Sequence, residues 1–436
     1  MSFFVLRMFN WLKYIRKIDI IRRKKKRKRS TMKVAFYTLG CKVNQYETNG
    51  MIQEFLKRNY EIVLFHEKAD VYIINTCTVT NMSDKKSRQM IRRTKELNSE
   101  SIVVAVGCYA QVAREKLEEM KEIDLILGVN EKNKIVDYIE EYLQEKKKIE
   151  KISDVMKQIE YSDFGEVEYS EKTRAVIKIQ DGCDRFCSYC IIPYARGRVR
   201  SRKPENVVKE IRKIAKKNIK EVVLTGIHLA SYGKDFKEEY HLIDLLEEIN
   251  QIEGIERIRL GSLEPTLLTE EFVKRLRKLE KICDHFHLSL QSGCDETLKR
   301  MNRKYSTEDF RIIVNRLREN YKEVALTTDI IVGFPGETEE EFKKTYEFLQ
   351  DIHFYKMHVF KYSPREGTKA AIMEDQVDGN RKEIRSNKLI EMSNKNEKDD
   401  NEKYLGKKLF VLFEEKDGEY IKGHTTNYKV VKVKTE

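Results

Sequence analysis

The sequence predicts an α/β protein in three parts: an N-terminal doubly wound parallel sheet, a central partial (β/α)6 barrel of the TIM-like kind, and a small C-terminal β domain that looks incomplete. Three observations predict it. From Met32 onward, short β-branched runs alternate with stretches of helical periodicity, the pattern of parallel sheets joined by crossover helices. Between Glu145 and Lys172 the alternation stops in a segment crowded with Lys and Glu and short of apolar periodicity. From Tyr404 only strand patterns recur: Leu409–Phe413, Tyr420–Lys422 and Tyr428–Val433. The domain reading is therefore 1–31, a basic disordered extension; 32–145, the sheet domain; 146–172, a solvated linker; 173–400, the barrel; and 401–436, the β domain.

At 436 residues the chain has room for two or three cores. Five prolines and 19 glycines exclude a fibrous or low-complexity class. The net charge of +13 is concentrated: residues 1–31 hold twelve Lys or Arg against Asp19, +11, which leaves 13 − 11 = +2 for the rest. Such a segment suits a membrane-surface helix or a phosphate-binding arm. Because Met32-Lys33-Val34-Ala35-Phe36 opens a strand directly, an over-extended start is the preferred expectation. No cleavable signal is evident, and no apolar run approaches the roughly 20 residues of a membrane span. The eight cysteines do not form a disulfide framework, so the expected setting is the reducing cytoplasm, without stable membrane association.

In the first domain, the strand Lys33–Leu39 ends at Gly40-Cys41 and precedes a helix over Asn44–Arg58. Val71–Asn75 ends at Thr76-Cys77 before a helix over Ser83–Leu97, and Ile102–Val106 ends at Gly107-Cys108 before one over Gln111–Met120. Asp124–Val129 and Lys134–Gln144 add a strand and a helix. Ligands of doubly wound sheets sit beyond the carboxyl ends of the strands, and here each of three strands delivers one cysteine to that edge. A lone strand cysteine is usually a small buried hydrophobe. Three at one structural position instead indicate a three-cysteine iron-sulfur site on Cys41, Cys77 and Cys108, with the fourth iron open.

The barrel domain repeats the unit six times, with strands over Ala175–Gln180, Glu221–Ile227, Ile255–Gly261, His285–Leu290, Ala325–Ile331 and Lys356–Tyr362. Helices are expected over Glu205–Lys217, His241–Ile252, Thr269–Leu279, Ser306–Tyr321 and Thr338–Asp351. Directly after the first strand come Cys183, Cys187 and Cys190, spaced C-x3-C-x2-C with Tyr189 before the last. Three thiolates do not close a zinc site, and the next histidine is His228, too far for a knuckle. They do hold three irons of a [4Fe-4S] cube and leave the fourth for a ligand.

This motif resembles the signature of the radical S-adenosylmethionine (SAM) enzymes, in which the open iron chelates the amino and carboxylate groups of SAM. Function in such barrels lies at the carboxyl ends of the strands. The residues there that suit backbone approach, ribose, carboxylate and adenine contacts are Thr225 and Gly226, Ser262 and Glu264, Gln291 and Ser292, and Gly333 and Pro335. Turn chemistry alone also accounts for glycines at such junctions. His228, His285, His287, His353 and His358, with Cys283 and Cys294, read as structural.

The two cysteine sets followed by a β domain resemble the radical SAM methylthiotransferase family over residues 32–436. Thr38 to Asn49 (TLGCKVNQYETN) and Pro193 to Arg198 (PYARGR) are similar to its MtaB type, which acts on threonylcarbamoyladenosine in tRNA. The resemblance implies two [4Fe-4S] clusters, SAM as radical source and methyl donor, tRNA as partner, a low-potential donor such as flavodoxin or ferredoxin, and a sulfur donor. It implies methylthiolation at C2 of the adenine; relatives that act on isopentenyladenosine in tRNA or on a ribosomal-protein aspartate are the alternatives. The β domain resembles the start of the RNA-binding TRAM domain, with Lys407, Lys408, Lys422, Lys429, Lys432 and Lys434 for phosphate and Tyr420 and Tyr428 for bases. Lysines on β hairpins also discourage edge pairing.

Overall fold

The computed structural model describes residues 31–167 and 173–435. The basic extension, residues 1–30, lies outside the described residues, and with it the expectation that it is disordered. The described chain divides into two compact units, one of residues 31–77, Ser83–Ser153 and Val167, the other of Thr78–Met82, Asp154–Glu166 and residues 173–435.

Among the described residues, the first unit holds β1 (Lys33–Thr38), β2 (Glu61–Val63), β3 (Val71–Thr76), β4 (Ile102–Gly107), β5 (Leu125–Leu127) and β6 (Ile149–Lys151). They form one parallel sheet in the order β2-β1-β3-β4-β5-β6. Its helices are α1 (Lys42–Lys57), α2 (Asn81–Leu97), the one-turn α3 (Cys108–Val112) and α4 (Arg114–Glu118), and α5 (Ile135–Glu145). β3 and β4 are buried along their whole length, as parallel strands covered on both faces must be, so they read as unbroken apolar runs. The strand order reverses between β1 and β3. That reversal is the switch point where open α/β sheets bind ligands.

Of the linker expected over 146–172, the described residues, 146–167, are anchored at several points rather than wholly solvated. Residues Ile149–Lys151 are β6, paired with β5, and Val155, Phe164 and Val167 are buried. Asp163 accepts from Arg202 Nε at 2.9 Å and Asn206 Nδ2 at 3.1 Å. Isolated apolar anchors among lysines and glutamates carry no period, so a reading by charge misses them.

The second unit continues with β7 (Arg174–Lys178), the short β8 (Gln180–Asp181) and β9 (Arg200–Ser201), β10 (Glu221–Thr225), β11 (Arg257–Leu260), β12 (His285–Gln291), β13 (Ala325–Val332) and β14 (Lys356–Lys361). β7, β10 and β11 pair in parallel, as do β12, β13 and β14. Parallel bridges at Ile258–Ile282 and Leu263–Leu288 join the two sets into an open six-strand arc. Between them run α6 (Ile192–Arg196), α7 (Pro204–Lys216), α8 (Leu242–Asn250), α9 (Glu270–Arg277), α10 (Asp295–Arg300), α11 (Thr307–Asn320), α12 (Glu339–Ile352) and α13 (Gly379–Glu402). Ser306 with Asp309 and Thr338 with Glu341 form capping boxes that start α11 and α12. The 24-residue α13 buries few apolar side chains, chiefly Leu389 and Met392. Polar anchors hold it instead: Ser393 Oγ accepts from Met357 N at 2.9 Å, and Asn396 Nδ2 donates to Phe354 O at 3.1 Å. Its period is therefore invisible to a hydrophobic reading.

The C-terminal strands β15 (Val411–Asp417), β16 (Tyr420–Thr425) and β17 (Val430–Lys434) form an antiparallel sheet. They cover the amino ends of the barrel strands. Arg257 Nη1 donates to His424 O at 2.8 Å, and Arg259 Nη2 to Thr425 O at 3.3 Å. The Tyr428 ring stacks between His285 and His424, each at 4.7 Å, with the Arg259 guanidinium over it. Lys429 is 5 % exposed, its Nζ 3.8 Å from the Tyr355 ring centre and 4.7 Å from that of Tyr404. Neither Tyr428 nor Lys429 is thus available to RNA: tertiary partners already hold the ring and the cation that sequence reading assigned to bases and phosphate. No helix among the described residues is long and apolar enough to cross a membrane.

Candidate metal centres

In the first unit, three strand ends are stitched together by buried polar side chains. Asn44 Nδ2 donates to Leu39 O at 2.7 Å and to Thr76 O at 3.0 Å, tying the end of β1 to that of β3. Thr76 Oγ1 donates to Val106 O at 2.8 Å and accepts from Ala110 N at 3.2 Å, tying β3 to β4 and α3. Cys41 caps α1 and is exposed, while Cys77 and Cys108 are buried. Gly40, at φ +95°, turns the chain so closely past Cys77 that an added Cβ would stand 2.7 Å from its Sγ. A buried Glu47–Lys132 ion pair lies one helical turn from Asn44 on α1.

In the second unit, pairing of β8 with β9 closes the cysteine loop at its base. Asp181 organises it. Its carboxylate accepts from Gly182 N at 2.9 Å, from Lys178 Nζ at 2.6 Å, and from Arg196 Nη1 at 3.0 and 3.1 Å. Cys183 N donates to Gly197 O at 3.0 Å, and Gly182, at φ +70°, passes where a Cβ would meet Arg198 O at 1.8 Å. Gln180 Nε2 donates to Asp181 O and Gly182 O, and its Oε1 accepts from His228 N, each at 2.7 Å.

A segment that sequence reasoning passed over, Arg300–Arg303 at the end of α10, holds the loop from the other side. Ser188 Oγ donates to Arg300 O at 2.7 Å, and Asn302 Nδ2 donates to Phe186 O at 3.0 Å. Arg303 donates to Glu264 Oε2 at 2.6 Å, to Ser289 O at 3.0 Å and to Cys187 Sγ at 3.2 Å. Only the short polar run after α10 hints at this, and no period marks it.

Of the strand-end residues, Glu264 is the most engaged. Burial would raise its carboxyl, but the His228 imidazole, with Nε2 3.8 Å from Oε2, and the charge of Arg303 hold it below the usual range. Thr225 is 5 % exposed, Ser262 is exposed, and Gly226 packs on the Gln180 side chain. Gln291 adopts φ +74°. Ser292 is turned inward, its Oγ 3.2 Å from Thr345 Oγ1 and accepting from Cys294 N at 3.3 Å. Gly333 packs beneath the Lys382 side chain, and Pro335 O accepts from Arg300 Nε at 3.2 Å. At this edge Gly226, Ser262 and Gln291 are at least partly exposed, whereas Thr225, Glu264, Ser292, Gly333 and Pro335 are buried.

The donor chemistry fits iron-sulfur cubes. Three cysteine sulfurs in each set are what such a cube takes, with one iron left open, and burial raises the Cys183 and Cys190 thiols. Among the described residues no three His, Cys, Asp or Glu side chains converge closely enough to ligate one ion. Thiolates on three different irons of a cube stand further apart than the ligands of a single ion.

Comparison with known proteins points the same way. Residues 177–349 match the Radical SAM superfamily, and residues 33–128 match a family described as "Uncharacterized protein family UPF0004". The chain is 44 % identical over 410 residues to the threonylcarbamoyladenosine tRNA methylthiotransferase MtaB of Bacillus subtilis (strain 168), covering 92 % of this chain and 91 % of that one. The chain belongs to the MtaB-type radical SAM methylthiotransferases. The MtaB of Aquifex aeolicus (strain VF5) is also 44 % identical, over 87 % of this chain and 92 % of its own. The tRNA-2-methylthio-N(6)-dimethylallyladenosine synthase of Clostridium tetani (strain Massachusetts / E88) is 36 % identical, over 90 % and 88 %. Among solved structures, the radical SAM methyltransferase TsrM of Kitasatospora setae superposes with a TM-score of 0.58 at 15 % identity, over 78 % of this chain and 75 % of that one, a likeness of fold alone. Membership brings the family's cofactors, two [4Fe-4S] clusters and SAM.

Proposed function

We propose that this chain methylthiolates C2 of N6-threonylcarbamoyladenosine at position 37 of tRNA, with one SAM as methyl donor and a second as radical source. The observation that carries the reading is the 44 % identity over 92 % of the chain to a relative named for that nucleoside, against 36 % to one named for the dimethylallyl nucleoside. An aromatic C–H does not yield to side-chain acids and bases, so the chemistry belongs to cofactors and the protein's part is binding and orientation.

Cys183, Cys187 and Cys190 would hold the radical cluster, and Cys41, Cys77 and Cys108 the auxiliary one. Bound there, the clusters and SAM supply one-electron cleavage of SAM, hydrogen abstraction from C2 and the methylthio group. The chain's own contribution is positional. Asp181 and Arg196, both buried, keep the base of the cysteine loop closed. Glu264 and Arg303 place one carboxylate and one guanidinium beside Cys187, complementary to the ribose hydroxyls and the carboxylate of an amino-acid nucleoside. Thr225, Gly226, Ser262 and Gln291 complete the cradle, and Ser292, Gly333 and Pro335 support it. A cytoplasmic low-potential electron donor and a sulfur donor complete the turnover.

Mass spectrometry of digested tRNA from cells with and without this protein tests the reading. Disappearance of the methylthio-threonylcarbamoyl nucleoside is expected. Loss of the methylthio-isopentenyl nucleoside, or of a modified ribosomal aspartate with tRNA unchanged, would overturn it.

A further inference from the structure

We infer that the inner face of β12, β13 and β14 binds the polar substituent on N6 of the target adenosine, through His287, Asp329 and His358. This rests on the substrate reading above and deepens it.

Strand alternation separates the two faces of this sheet. Phe286, Leu288 and Leu290, with Leu326, Ile330 and Val332, are buried on one face. On the other lie His285, His287, Ser289 and Gln291; Thr327, Asp329 and Ile331; and His358 and Phe360. The register sets His287 beside Thr327 and Asp329 beside His358. His287 Nε2 stands 3.2 Å from Asp329 Oδ2, its Nδ1 2.9 Å from Thr327 Oγ1, and its ring 5.7 Å from that of His358.

The polar groups of this face form layers, and the one at the amino end is sealed. At the amino end, Glu221, Arg259 and His285 are buried against Tyr428 and the C-terminal strands. One layer up, the His287 side chain is 15 % exposed and that of Asp329 30 %, and His358 is exposed. Packing explains the sealed layer. It does not explain a histidine–carboxylate pair with a second histidine on an accessible concave face.

The position also fits. Ser289 lies two residues, about 7 Å, further along β12 than His287. Its carbonyl accepts from Arg303, which in turn donates to Cys187 Sγ. A base with C2 at that edge would carry its N6 substituent away from the reacting atoms, and a threonylcarbamoyl group is as long as about two residues of extended chain. That group presents two N–H donors, a hydroxyl and a carboxylate. Asp329 accepts from the N–H or hydroxyl groups while His287, whose two ring nitrogens face Asp329 and Thr327, orients it, and His358 donates to the carboxylate. An aliphatic substituent would desolvate the same three side chains without replacing their hydrogen bonds, a penalty that makes polar sites selective.

The test uses the full-length protein with both clusters reconstituted. It measures binding and turnover of anticodon stem-loop RNAs that differ only at N6 of residue 37: threonylcarbamoyl, its methyl ester, and isopentenyl. The unaltered protein should prefer the threonylcarbamoyl RNA over the isopentenyl RNA by about tenfold or more. His358→Ala, Asp329→Asn and His287→Gln should each reduce that preference toward unity, and the ester should lose affinity in the unaltered protein but not further in His358→Ala. His358 is exposed, so its replacement leaves the fold intact, and iron content verifies this for all three variants. Undiminished preference in iron-replete variants would overturn the inference while leaving the substrate reading standing. Absence of any turnover of threonylcarbamoyl RNA by the unaltered protein would instead overturn the substrate reading and the inference with it.

Discussion

Gly40→Ala should dismantle the auxiliary site and spare the radical one. A left-handed backbone costs an L-residue roughly 1–2 kcal/mol. Gly40 sits at φ +95°, and its added methyl would lie 2.7 Å from Cys77 Sγ and 2.8 Å from Cys77 Cβ. Favourable carbon contacts begin near 3.5 Å, so one of the two segments must retreat. Asn44 ties both to one amide, and retreat breaks a hydrogen bond worth about 1 kcal/mol net. The sum is about 3 kcal/mol, a factor of roughly 100 against the assembled arrangement. Such a cost is tolerable within the 5–15 kcal/mol, approximately, of a typical fold. The unit should therefore remain folded while its cysteines no longer meet. Anaerobic reconstitution followed by iron and sulfide analysis should give about half the iron of the unaltered protein, one cube of two. Cleavage of SAM to 5′-deoxyadenosine should persist without methylthio product. Full iron content with normal product would refute the argument that close approach of Gly40 to Cys77 builds the site.

Three further outcomes follow from the same geometry. Replacing Cys183, Cys187 and Cys190 together by Ala should leave about half the iron, in the other cube, and loss of all of it would show that the two sites assemble dependently. Lys132→Met leaves Glu47, 1 % exposed, without its buried partner and should cost about 3–5 kcal/mol, seen as a lowered melting temperature; Glu47→Gln added to it should recover part of the loss. At Glu414, burial would raise the carboxyl, but His424 and Arg174 hold it below the usual range. A depressed folded value means its contribution is present above the unfolded value of about 4.3 and is lost as pH falls through the folded one. Acid melts between neutrality and about pH 3 should therefore be flatter in Glu414→Gln, and parallel curves would count against the pairing.

The two cysteine sets stand out in the sequence because Cys41, Cys77, Cys108 and Cys183 each come directly after a strand pattern, with Cys187 and Cys190 at short spacing behind the last. The alternation that announces a parallel sheet is equally local, as are the capping boxes at Ser306 and Thr338. The sheet order was not legible. It depends on β2 and β6, three residues each, whose pairing partners lie elsewhere in the chain. Arg303 reaches Cys187 across 116 positions, Arg259 meets Thr425 across 166, and Tyr428 and Lys429 are claimed by aromatic and cationic partners that no spacing could name. Period and spacing record what neighbouring residues share. Which buried charge meets which, and which face of β12 to β14 stays open, depends on contacts between distant segments that exist only once the chain has folded.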